Sequence, residues 1–166
     1  GCEMMKVAVM GGDFFTANFT NLTDGWGESL INIAKEKSYL SASGVTYSLL
    51  NSLDIVYPQV IKPIKDDKDI VMQVAWNKNR NKLTVILLNF SEKENVCQLD
   101  LTDIRKRFLS EGDLFLLNPG SFHCFNTVSN PERVKVERKK IKTNKKMTVK
   151  LFPMSLQAIE IMVSDK

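Results

Sequence analysis

The sequence predicts a mainly β fold: an antiparallel, jelly-roll-like β-sandwich with an N-terminal helical βα appendage. Three observations carry this reading. Short apolar or alternating stretches follow one another from residue 70 to residue 164, separated by turn residues, which is the spacing of a sandwich. The first 56 residues have a different texture, broken by Gly11-Gly12, Gly25 and Gly27, and they hold one clear helical stripe. Between the two, residues 57–69 carry Pro58, Pro63 and a charge cluster, which suits a connector. The expected organisation is therefore 1–56 as the appendage, 57–69 as the connector and 70–166 as the sandwich. A chain of 166 residues is one domain, or one domain plus a short extra unit, and is long enough for a self-supporting core.

The elements follow in order. Residues 3–10 read as a helix. Residues 30–34 are a short apolar run fit for a buried strand. Val45, Leu49 and Leu53 then recur at four-residue spacing, with Thr46 and Leu50 beside them, which marks a helix. Ser41 or Ser43 can cap it by accepting a bond from a free backbone N–H. Strand followed by helix is half of a βαβ unit. In the second half Ile70, Met72, Val74 and Trp76 share a face, residues 77–81 turn, and residues 83–90 return, so the pair reads as a hairpin. The returning strand is apolar on both faces, with Leu83, Val85 and Leu87 on one and Ile86, Leu88 and Phe90 on the other. Such a strand expects cover on both sides, from the sandwich core and from a helix or second domain. Further strands are expected at 96–101, 114–117, 134–141, 147–151 and 156–163. Met147, Val149 and Leu151 alternate with Lys146, Thr148 and Lys150, the pattern of a sheet with one wet face. Between Val136 and Ile141 the apolar parity slips by one, which predicts a bulge or bend near Arg138.

Composition excludes several classes. Apolar residues at 43% and charged residues at 25% are ordinary globular usage, which rules out disorder, collagen and coiled-coil fibre as the main state. The apolar stretch 83–88 is far too short to span a membrane, so no membrane partner is expected. No basic, apolar and cleavage-site sequence of a signal peptide opens these residues. A secreted or periplasmic setting is favoured over a cytoplasmic one. The net charge of +4 comes mostly from residues 133–150, where many Lys and Arg face the single Glu137. A patch for nucleic acid or another anionic polymer is one reading, and a solvated pair of strands with Lys outward is the other. No aromatic residue interleaves with the basic ones, as a single-strand binder would want, and no nucleic-acid partner is expected.

The side chains that carry chemistry are sparse. Cys2, Cys97 and Cys124 form neither a disulfide framework nor a zinc site by spacing, and Cys97 in its apolar alternation reads as core, although a Cys97–Cys124 bridge stays open. His123 is the only histidine, and no nucleophile elbow accompanies it. Gly11-Gly12 before Asp13 lacks the rest of a phosphate loop. A glycosidase needs two carboxylates flanking the scissile bond, and no such constellation is visible around Asp13, Glu28, Glu36, Asp66, Asp67 or Asp69. No catalytic residue, metal ligand or cofactor is assigned. Asn18, Asn21 and Asn89 each open a glycosylation acceptor pattern. Carbohydrate recognition would use exposed rings, and the candidates are Trp26, with Phe14, Phe15 and Phe19 near it in sequence, and the pair Phe122 and Phe125. The alternative is that these rings are core. Trp76, ending an apolar face, should be buried or half-buried.

Three segments of the second half carry a family resemblance. They are the paired strands Val74-Ala75-Trp76 and Leu83-Thr84-Val85-Ile86-Leu87-Leu88-Asn89, the loop Asn126-Thr127 followed by Asn130-Pro131 and Val134, and the ending Pro153-Met154-Ser155. Together they resemble the C-terminal domain of family 51 α-L-arabinofuranosidases. In the first half Met5-Lys6-Val7-Ala8 resembles the end of a barrel helix. Leu30-Ile31-Asn32 and then Tyr39-Leu40-Ser41-Ala42-Ser43 resemble the last barrel strand and the approach to the last helix. Ala42, Gly44, Val45 and Val136 depart from the family's pattern. The resemblance implies an accessory, non-catalytic domain for arabinose-containing polysaccharide degradation, because the family's two glutamates lie in a (β/α)8 barrel upstream and no residue here maps onto them. One strand and one or two helices cannot close such a barrel. The implied partner is a catalytic barrel in the same or another chain. Polysaccharide and a second copy of the chain are the other candidate partners, the latter through the orphaned barrel remnant.

Overall fold

A computed structural model describes residues 29–35, 37–59, 68–121 and 123–165, together with the backbone of residues 23–24. The helix read over residues 3–10 lies outside these. In chain order the elements are β1 (Thr23–Asp24), β2 (Ile31–Ala34), β3 (Lys37–Leu40), α1 (Ala42–Ser52), β4 (Tyr57–Gln59), β5 (Ile70–Trp76), β6 (Lys82–Asn89), β7 (Asn95–Asp100), β8 (Arg107–Leu117), β9 (Val136–Lys142), β10 (Lys146–Leu151) and β11 (Ser155–Ser164). The fold is mainly β, its strands antiparallel except for the parallel pair β1 and β2, with a single helix among the described residues. One sheet has six strands in the order β4-β5-β6-β11-β8-β9, a second pairs β10 with β7, and a third joins β1, β2 and β3.

The core follows from β6 and β11, the two central strands. Leu83, Val85 and Leu87 of β6 and Ile159 and Ile161 of β11 pack with Leu99 of β7 and Leu151 of β10, so the two-stranded sheet covers this face. Ile86 and Leu88 point the other way and pack with Val45, Leu49 and Leu53, so α1 covers the opposite face. The double cover expected from the sequence of β6 is thus supplied by a sheet below and a helix above. Each of these fully buried side chains stabilises the fold by roughly 1.5–3 kcal/mol relative to exposure. Trp76 is buried at the end of β5, as its position on an apolar face foretold.

Local chemistry sets α1. Ser41 is its cap: the Oγ accepts from Gly44 N at 3.0 Å, satisfying one of the free N–H groups of the first turn. Ser41 N also donates to the Leu30 carbonyl oxygen at 3.0 Å, which ties the start of the helix to the start of β2. Gly44 sits so close to that carbonyl that a Cβ would collide with the Leu30 oxygen. A glycine is therefore required there by close approach, not by backbone angle.

Three features differ from the sequence reading. β3 is an extra strand, pairing antiparallel with β2 through Ile31↔Leu40 and Ile33↔Ser38 and turning at Lys35, whose φ is 50°. Tyr57–Gln59, inside the stretch read as a connector, forms β4 at the rim of the large sheet. No bulge lies near Arg138: β8 and β9 stay in register from Glu111↔Lys142 to Leu117↔Val136. The parity slip instead means that β9 serves both layers, with Val136 packing on the α1 side and Ile141 on the two-stranded-sheet side. The irregularity lies between Ile161 and Val163, where β11 slips against β8. The two Lys-rich strands lie in different sheets, since β9 joins β8 and β10 joins β7.

Candidate functional site

Carboxylates come first, because a sugar-cleaving site would need two of them. In the large sheet Thr84, Glu160, Asp113 and Lys140 stand opposite one another across β6, β11, β8 and β9. Glu160 and Asp113 are therefore direct cross-strand neighbours, on the face that bears α1. Both are largely buried, with side chains 13% and 15% exposed. Each is neutralised by cations. Lys82 Nζ bonds Glu160 at 2.7 Å, while Arg138 Nε and Lys140 Nζ each reach Asp113 at 3.1 Å. The hydrogen bond from Arg138 holds the Asp113 carboxyl below its ordinary value, with help from Lys140 and against the opposing effect of burial. Arg138 also lies over the Phe115 ring, 5.3 Å from its centroid. A general acid needs a raised pKa, so that one carboxyl keeps its proton near neutrality. A carboxylate held between two cations, beside another on a lysine, is an ion-pair network. Thr84 Oγ1, in the same row, is buried with no hydrogen-bond partner.

The other reactive groups are kept apart. Cys97 packs in the two-sheet core, where burial pushes its thiol up, and Cys124 packs on the α1 side. Both are free thiols, and the six-stranded sheet lies between them. This excludes the Cys97–Cys124 bridge in this structure. His123 is exposed in the loop after β8, its backbone N–H donating to Ser121 Oγ at 3.1 Å. No group of three His, Cys, Asp or Glu side chains able to hold a metal ion occurs among the described residues.

One cleft, of about 210 Å³, opens between the first turn of α1 and the segment following β8. Ser43, Thr46, Leu88, Leu117, Cys124 and Leu156 are among its walls, and no acidic or basic residue is. Two of its polar side chains are already engaged. Thr46 Oγ1 donates to the Ala42 carbonyl at 3.0 Å, and the Asn89 amide, also at the wall, is spent within the protein. The chemistry offered is apolar, which suits packing better than recognition of a sugar's hydroxyls. Of the rings singled out from the sequence, Phe14, Phe15, Phe19, Trp26 and Phe122 lie outside the described residues. Phe125 is 58% exposed, in the loop between β8 and β9.

Two buried asparagines, Asn126 and Asn89, organise the surroundings. Asn126 Nδ2 donates to the Leu40 carbonyl at 2.9 Å and to the Val134 carbonyl at 3.0 Å, and its Oδ1 accepts from Val134 N at 2.6 Å. It joins the end of β3 to the approach to β9, and so fastens the βα unit to the sandwich. The turn beyond it closes on itself, with Thr127 and Asn130 exchanging backbone bonds at 3.1 Å. Asn89, at the end of β6, donates to the carbonyls of Lys93 and Phe152 at 2.9 Å, and its Oδ1 accepts from Ser91 N at 3.0 Å. The nitrogen that a glycan would need is thus buried and already bonded, so the acceptor pattern at Asn89 is closed in the folded chain. The available signal was the asparagine itself, a polar residue ending an apolar strand where only an internal partner set could satisfy it.

The basic stretch is largely matched. Lys139 pairs with Glu137 at 2.7 Å, Lys146 with Asp100 at 3.3 Å and Lys150 with Glu94 at 2.7 Å, in addition to the two cations on Asp113. Divided between two sheets and paired with acids, these side chains form no continuous cationic groove.

No protein-family model matches the sequence, and no curated protein matches it. Solved structures do match. An arabinose-bound family 51 α-L-arabinofuranosidase superposes with a TM-score of 0.78 at 20% identity, covering 90% of this chain and 24% of that one. A family 51 α-L-arabinofuranosidase from Bifidobacterium longum gives 0.73 at 15% identity, over 97% of this chain and 32% of that one. The Thermotoga maritima α-L-arabinofuranosidase in its arabinose complex gives 0.71 at 14% identity, over 88% and 33%. The fold is therefore that of a part of these enzymes. The chain spans about a quarter to a third of their length.

Proposed function

We propose that this chain is an accessory, non-catalytic β-sandwich domain of an arabinose-polysaccharide-degrading protein, supporting a (β/α)8 barrel carried by the same or another chain. The reading rests on the βα unit. β1 and β2 pair in parallel, through Thr23↔Ile31 and Asp24↔Asn32, and α1 follows after the short antiparallel strand β3. Parallel strands are normally covered on both faces, by helices that follow them. Here Ile33 and Leu40, on one face of the β2–β3 pair, stay exposed, as do Tyr47 on α1 and Phe125 and Val128 in the loop that Asn126 fastens to it. A surface of this kind fits the rest of a barrel. On this reading residues 1–56 are the barrel remnant, 57–69 the connection, its first residues joined to the large sheet as β4, and 70–166 the domain that steadies the barrel. The partial overlap with family 51 structures supports it, as does the neutralised state of Asp113 and Glu160.

The test is an assay of the purified chain on an aryl α-L-arabinofuranoside. No turnover is expected. Turnover that vanishes when one of its own carboxylates is replaced would overturn the proposal. A second reading, a polysaccharide-binding module, draws on the exposed Phe125 ring. It requires titration heat with arabino-oligosaccharides that is lost in Phe125→Ala, and it falls if the wild-type chain gives none.

A further inference from the structure

We draw no further inference here: the strongest candidate, the apolar cleft between the first turn of α1 and the segment following β8, is a surface for which nothing in the structure shows an occupant.

Discussion

Replacing Asn126 by Ala removes three hydrogen bonds, two donated by Nδ2 and one accepted by Oδ1. The consequence depends on what each partner can do afterwards. Val134 is 3% exposed, so its N–H and carbonyl lose their partner where water enters poorly. Leu40 is 38% exposed, and its carbonyl can be rehydrated at little cost. A buried polar group left unsatisfied costs about 1–3 kcal/mol. Two such groups, relieved in part by relaxation or an entering water, give a loss of about 2–4 kcal/mol. That is a large share of the 5–15 kcal/mol typical of a domain. The assay is urea unfolding followed by tryptophan fluorescence, which reports on the buried Trp76, with Asn130→Ala as the control because the exposed Asn130 bonds its turn through the backbone. The control should stay within about 0.5 kcal/mol. An Asn126→Ala variant equally close to wild type would refute the view that this side chain holds the βα unit to the sandwich.

Three further outcomes follow. Gly44→Ala should lower the urea midpoint more than a helix alanine otherwise would, because the new methyl meets the Leu30 backbone and not a yielding side chain; an unchanged or raised midpoint would contradict the close approach. Thr84→Val keeps the shape and deletes a hydroxyl buried without a partner, and should stabilise the chain by about 1 kcal/mol in the same assay. Asp113 has a folded pKa below its unfolded value, so its contribution is present above the unfolded pKa near 4 and is lost as pH falls through the folded one. Asp113→Asn should therefore be less stable than wild type at pH 7, and the gap should narrow as pH falls below the unfolded carboxyl pKa and through the folded one; a gap independent of pH would remove the ion-pair explanation.

How much of this was legible in the sequence can be seen strand by strand. β6 announced both its faces because every side chain but the hydroxyl of Thr84 and the terminal Lys82 and Asn89 is apolar, and both covers were found. The α1 stripe and a serine cap at Ser41 or Ser43 were equally plain, since a 3.6-residue period and a hydroxyl at the start are local signals, and the structure selects Ser41. β8 was read only from residue 114. Its first half, Arg107–Asp113, alternates poorly because it faces a slipped partner strand and includes Gly112, where a Cβ would run into the Glu160 carbonyl. The bulge was placed on β9, although the slip there came from one strand feeding two cores. Parity alone cannot distinguish those cases. β3 was missed because Lys37–Leu40 has little apolar character and owes its form to the hairpin with β2. The site was far less readable. The row of Glu160 and Asp113 is assembled by pairing residues 47 positions apart, a fact of topology that no local pattern contains.

The rims of the six-stranded sheet have a consequence of their own. β4, at one rim, places Pro58 opposite Ala75, so an incoming strand would find a ring where it needs an amide hydrogen. At the other rim β9 is crowded with long charged side chains, Glu137, Arg138, Lys139, Lys140 and Lys142, whose desolvation a docking strand would have to bear. Fibril growth by strand accretion therefore has no ready template at either end of this sheet, even when the segment is produced without the larger polypeptide it resembles a part of.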